Sequence, residues 1–237
     1  MNRKKLSRPK LIASCLVIVV VLGLAVVLRH RAAAPGGTDE SKTTDASQAF
    51  NKSLHPTDQP DSVWVVANKS RALNPAAYAP ADLVNVGGGQ MLRQEAATAL
   101  QQLIAGAAAA GYKLQPLSGY RSYTTQQSVY AREVATNGQA QADSQSAKPG
   151  YSEHQTGLAI DVGGGGCNIE DCFGNTAEGK WVATHAIEYG FMIRYIPGKE
   201  NITGYRPEPW HIRYVGKELA NELKATNTQT LEEFFNL

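Results

Sequence analysis

Residues 11–28 (LIASCLVIVVVLGLAVVL) form an uncharged run of 18 in which only Ser14 and Gly23 are not strongly apolar. A run of that length spans the hydrocarbon core of a bilayer as one helix, which makes a transmembrane signal-anchor the first expectation for the chain. Five basic residues precede it (Arg3, Lys4, Lys5, Arg8, Lys10), two follow it (Arg29, Arg31), and no acid occurs before residue 32. The cation excess on the N-terminal side puts residues 1–10 in the cytoplasm and everything after Arg31 outside, as expected of a single-pass protein of the cell membrane. A cleaved signal peptide is the alternative. It is disfavoured because the run is longer than a signal core and Pro35 follows the Ala32-Ala33-Ala34 candidate cleavage site. Cys15 opens the apolar run instead of closing it, so it reads as membrane filler.

Charge then separates the two parts. The formal net charge is +2, yet beyond Arg31 only 16 Lys/Arg face all 21 Asp/Glu, so the body of the protein is acidic and no nucleic-acid partner is expected. Residues 29–61 turn to Gly, Pro, Ser, Thr, Asp, Gln and Lys and bury too little apolar surface to order themselves, which predicts a flexible linker carrying the solvated His30 and His55. Residues 62–237 are then the globular domain, expected to act as a monomer.

Within it the sequence predicts a short strand at 63–66, a loop rich in Asn and Pro, and a long helix over 90–110 closed by Gly111. A weakly alternating strand at 112–117 follows, then a helix capped by Thr124 or Thr125 that ends near Asn137-Gly138. Strands are expected at 157–162, 191–195 and 210–215, with helices at 177–189, 217–225 and 230–235. Long early helices and late, closely spaced strands predict an α+β fold: one compact catalytic domain with a small, mostly antiparallel sheet and flanking helices.

Chemistry-bearing residues concentrate in Ser152-Glu153-His154-Gln155-Thr156-Gly157-Leu158-Ala159-Ile160-Asp161 and in Glu208-Pro209-Trp210-His211. An aspartate inside an apolar strand needs a cation, a strong donor set or a proton. A zinc ion on His154, Asp161 and His211 satisfies all three groups and leaves a fourth position for water, the pattern of catalytic and not structural zinc. The duller alternative is a pair of packed histidines and a solvated loop acid. Parity adds an objection, because residues three or seven apart on one strand face opposite ways. Pro209 must therefore break the ladder near Glu208, and Gly157 must end a loop before the strand of Asp161.

Taken together with Ser118-Gly119-Tyr120-Arg121-Ser122, Gln126, Tyr189-Gly190-Phe191 and Arg194-Tyr195, these segments resemble the zinc-dependent D-alanyl-D-alanine carboxypeptidases of the VanY type, which include L,D-carboxypeptidase relatives. The resemblance covers most of residues 63–216. It implies one catalytic Zn2+ on His154, Asp161 and His211, Glu208 as the catalytic base, and Arg121 as the cation that stabilises the oxyanion or holds the substrate carboxylate. Ser152 and Gln126 match cleft positions and are candidate substrate donors; Tyr120 and Trp210 are candidate cleft walls. The implied substrate is a bacterial peptidoglycan stem peptide, cut to release its C-terminal D-alanine. An L,D-carboxypeptidase, an endopeptidase of the same fold, or a catalytically silent zinc-stabilised wall-binding domain are the alternatives, and Glu208 speaks against the last. Outside the membrane, Cys167 and Cys172 are expected to form a local disulfide in preference to a second zinc site. His185 is expected on a helix surface.

Overall fold

In a computed structural model, which describes residues 50–237, the chain runs β1 (Leu83–Gly87), β2 (Gln90–Arg93), α1 (Gln94–Ala109), β3 (Gln115–Ser118), α2 (Tyr123–Asn137) and α3 (Gln139–Gln145). It continues through β4 (Ala159–Gly164), β5 (Cys167–Asn168), α4 (Ala177–His185), β6 (Phe191–Tyr195), α5 (Glu200–Thr203), β7 (Glu208–Tyr214), α6 (Gly216–Thr226) and α7 (Leu231–Phe235). The expected membrane span at 11–28, its basic flank and most of the linker lie outside the described residues. Among the described residues, no helix is long and apolar enough to cross a membrane.

The expected α+β class with small antiparallel sheets is what the chain adopts. One sheet is ordered β3-β4-β7-β6, with β5 paired to β4, and β1–β2 form a separate hairpin. Every pairing is antiparallel. Alternation along the central strands gives the sheet two unlike faces. Ile160, Val162, Ile212 and Tyr214 join the apolar core with Ala96, Leu100, Leu103 and Ala107, a stripe at helical spacing on α1. The opposite face carries Asp161, His211 and Arg213, with Asp161 directly across from His211. A second apolar cluster joins Trp64 and Met192 to Leu219 and Leu223 of α6 and Phe234 of α7.

Several local expectations are corrected. Residues 64–66 are buried and Val63 half-buried, but 63–66 is not a strand, because its carbonyls serve a guanidinium and not a ladder: Arg213 Nη2 donates to Val63 O (3.0 Å) and Val65 O (2.8 Å). The stretch read as loop and helix start is the β1–β2 hairpin, turned through Gly87, Gly88 and Gly89, all at positive φ, so α1 begins at Gln94 and not at residue 90. The strand expected at 112–117 forms at β3, and α2 is capped by Ser122, whose Oγ accepts from Thr125 N (3.2 Å). The linker expected to be flexible to residue 61 lies against the domain from Phe50 on: Phe50 stacks on Trp64 (5.3 Å), and His55, expected to be solvated, meets the same indole edge-on (4.7 Å).

Candidate active site

The polar face of the sheet and the turn before β4 build one cleft of about 250 Å³. Residues 153–156 form a single 3-10 turn closed by Gly157 in the left-handed region (φ 68°), where a Cβ would press on Arg93 and Leu83 at 3.0 Å. The glycine therefore takes His154 off the strand and removes its parity conflict with Asp161. At the other end, the β6–β7 register slips between Ile193↔Ile212 and Tyr195↔Glu208, so Glu208 and His211 both face the cleft across the bulge at Pro209.

His154 Nδ1 donates to Gly119 O (2.9 Å), which leaves Nε2 as the free nitrogen, 3.5 Å from Asp161 Oδ2. His211 is turned the other way: Nε2 faces Glu153 Oε2 at 3.5 Å, and Nδ1 lies 3.2 Å from Asp161 Oδ1 and 3.7 Å from Glu208 Oε2. The ligand atoms of His154, Asp161 and His211 all lie within 4.8 Å of one another, and Asp161 Oδ1 is buried without a hydrogen bond. Ligands about 2.0–2.1 Å from a tetrahedral ion stand about 3.4 Å apart. Each histidine nitrogen lies near that distance from one Asp161 oxygen (3.5 Å to Oδ2, 3.2 Å to Oδ1), and with the N, O, N donor set and the unsatisfied Oδ1 the cluster fits a divalent ion.

Burial dominates the protonation equilibria. It drives His154 down to about 3, leaving a neutral imidazole. Burial opposes charge on His211 too, but the close approach of the Asp161 and Glu153 carboxylates outweighs it and raises the ring to about 9. Burial pushes the Glu208 carboxyl up to about 7, with the Asp161 charge adding to the effect and the His211 ring opposing it. Such a carboxyl can accept and release a proton near neutrality.

Arg121 lines the same cleft, and among the described residues no carboxylate comes within ion-pair distance of it. Its guanidinium is oriented by Gln126 Oε1 (2.8 Å from Nη1) and Ser118 Oγ (3.0 Å from Nη2). Gln126, expected as a substrate donor, has 0% of its surface exposed, and its Nε2 donates to Ala147 O (2.7 Å). Gln126 lines the cleft with its amide engaged at both ends, by Arg121 and by Ala147 O. Ser152 and Trp210 line the cleft; Tyr120 does not. Arg206 caps the Trp210 ring (5.3 Å) and pairs with Asp171 (2.9 Å). Cys167 and Cys172 are disulfide-bonded, with Cα atoms 5.9 Å apart, and the loop they close puts Ile169 at the cleft wall. His185 stacks on Trp181 (4.7 Å), away from the cleft.

Reasoning from the sequence missed the layer beneath the histidines. Glu153, Arg194, Arg213 and Glu232 form a buried ion-pair network, with Arg194 and Arg213 both 0% exposed. Its signal was present in the strands themselves: an arginine inside FMIRY and another inside HIRY, each needing a buried counter-charge.

One face of the central antiparallel sheet thus brings a His, Asp, His cluster together with a carboxyl and a cation. Residues 89–217 match the family model of VanY, D-alanyl-D-alanine carboxypeptidase. The chain is 41% identical over 214 residues to the putative carboxypeptidase YodJ of Bacillus subtilis, covering 84% of this chain and 78% of that protein. Among solved structures it is similar to the LdcB LD-carboxypeptidase (TM-score 0.69, 42% identity, 75% of this chain and 87% of that one). It is also similar to the vancomycin resistance D,D-pentapeptidase VanY from a VanB-type cassette, solved with Zn(II) (TM-score 0.63, 31% identity, 72% and 97%). The chain belongs to the VanY D-alanyl-D-alanine carboxypeptidase family.

Proposed function

We propose that this chain is a zinc-dependent carboxypeptidase that removes the C-terminal D-alanine from peptidoglycan stem peptides. The observation that carries the reading is the joint placement, in one cleft, of a three-residue donor cluster, a carboxyl raised to about 7 and an arginine without a carboxylate partner. His154 Nε2, an Asp161 carboxylate oxygen and His211 Nδ1 would hold the ion. When bound, it supplies Lewis-acid polarisation of the scissile carbonyl and of the nucleophilic water. Glu208 takes the proton of the attacking water and returns it to the leaving amine. Arg121, fixed by Gln126 and Ser118, offers its fork to the substrate's oxygen anion, either the terminal carboxylate or the developing oxyanion. Ser152 and Trp210 bound the peptide's path. An anchor at residues 11–28 would hold the domain on the outer face of the membrane, facing the wall.

A second reading, an L,D-carboxypeptidase acting on the tetrapeptide stem, is favoured by the higher identity to the LdcB enzyme (42%) than to the D,D-enzyme VanY (31%). The test is incubation of the zinc-loaded protein with stem pentapeptide and with stem tetrapeptide, following products by mass with and without chelator. Release of one D-alanine from the pentapeptide, lost on chelation and restored by zinc, is expected. Release from the tetrapeptide alone establishes the second reading. Zinc binding with neither peptide cut refutes both and moves an endopeptidase or a wall-binding domain ahead.

A further inference from the structure

We propose that Glu232, on the C-terminal helix α7, is a positioning residue for the metal cluster, acting through Arg194 and Glu153 on His211. The inference rests on the reading of His154, Asp161 and His211 as metal ligands. It extends the site into a part of the chain beyond the 89–217 span that matches the family model.

The connections run atom by atom. All three nitrogens of Arg194 donate to carboxylates: Nε to Glu153 Oε1 (2.8 Å), Nη1 to Glu232 Oε2 (2.9 Å) and Nη2 to Glu232 Oε1 (2.7 Å). Arg213 Nη1 reaches the same Glu153 Oε1 (2.9 Å). Both guanidiniums thus converge on one oxygen of Glu153. The other, Oε2, makes no hydrogen bond and stands 3.5 Å from His211 Nε2, itself without a hydrogen-bond partner. Asn68 Nδ2 holds Glu232 Oε1 from the far side (2.9 Å), and Asn68 also lies outside the matched span.

Two buried cations and two buried carboxylates balance, and the division of labour depends on Glu232. With glutamine in place of Glu232, the fully buried Arg194 loses its counter-charge and one of its two Nη acceptors, which becomes an amide NH2. The carboxylate that still touches Arg194 is Glu153, through Oε1, and its second oxygen, Oε2, is the one that faces His211. Rotation of Glu153 toward Arg194 takes Oε2 from its place 3.5 Å from His211 Nε2, and an outer-shell carboxylate beside a ligand imidazole sustains that ligand. Stability alone gives no reason for the arrangement, since buried ion pairs often do no better than well-packed apolar side chains. An apolar replacement cannot keep Glu153 Oε2 available to His211.

The test uses the full-length protein, stripped of metal, with Zn2+ affinity read by chelator competition, the visible spectrum of the Co2+-substituted form reporting ligand geometry, and thermal unfolding reporting the fold. Glu232→Gln is expected to weaken Zn2+ binding about 10-fold or more and to shift the Co2+ bands. Glu233→Gln, on the same helix but paired with Lys199 at the surface, is expected to leave both unchanged. If Glu232→Gln does not fold, Glu232→Asp keeps the charge while shortening its reach, and a several-fold loss of Zn2+ affinity is expected. Wild-type affinity and spectrum in a folded Glu232 variant overturn the relay while leaving the metal reading intact. A wild-type chain that binds neither Zn2+ nor Co2+ overturns both.

Discussion

Replacing Gln126 with methionine tests whether this side chain serves the substrate or serves Arg121. The two residues are similar in length, so the cleft keeps its shape. The substitution removes the acceptor 2.8 Å from Arg121 Nη1 and the donor 2.7 Å from Ala147 O. A hydrogen bond to a charged group contributes about 1.5–3 kcal/mol. If that bond is what aims the guanidinium in the transition state, its loss lowers kcat/KM roughly 10- to 150-fold. Leaving Ala147 O unpaired in a buried position costs about 1–3 kcal/mol of stability, visible as a lower Tm. A double-mutant cycle with Arg121→Ala, scored as kcat/KM on a D-alanine-terminated stem peptide, separates the two roles. If Gln126 acts only through Arg121, then Gln126→Met adds almost nothing once Arg121 is gone. Independent penalties that sum in the double variant refute this reasoning and return Gln126 to direct substrate contact, despite its burial.

Glu208→Gln keeps the side-chain volume but removes the proton acceptor. Bound zinc should therefore remain near one equivalent by metal analysis while turnover falls roughly 10²–10⁴-fold; near-normal turnover would dismiss Glu208 as the base. Acid should unfold the domain through its buried carboxylates. In Glu153 burial pushes the pKa up but Arg194 and Arg213 more than reverse it, and in Glu232 burial is likewise overcome by Arg194, so both folded values lie below the ordinary 4.5. The unfolded chain then binds more protons below pH about 4.5, and stability from these groups is full above that pH and lost as pH falls toward the folded values. Tm measured from pH 7 down to 3 should decline below about 4.5, and a flat profile would contradict the network's role.

How far the sequence spoke for itself depended on chain distance. The 152–161 and 208–211 segments each carry their residues within ten positions, so their pattern is visible before any folding, and even the turn at Gly157 and the ladder break at Pro209 follow from parity alone. The hairpin 83–93 was readable in principle, since Val-Asn-Val before three glycines is a turn signal, but Met91 and Leu92 blend into the apolar stripe of the helix that follows. Residues 63–66 look like any β-branched strand; only the distant Arg213, 148–150 residues away, decides that their carbonyls face a cation.

The same remoteness governs the layer under the histidines. Asn68 and Glu232 stand 164 residues apart yet share a hydrogen bond, and neither has a local pattern to announce it. What the strands do announce is a deficit: two arginines in positions where burial forbids an uncompensated charge. A deficit specifies the kind of partner and not its address. The fold supplies the address by packing α7 beside β6, and with it the carboxylate that leaves one oxygen of Glu153 free for His211. On the proposed relay, the geometry of the His154, Asp161 and His211 cluster would depend partly on α7, a segment that the two site motifs give little reason to inspect.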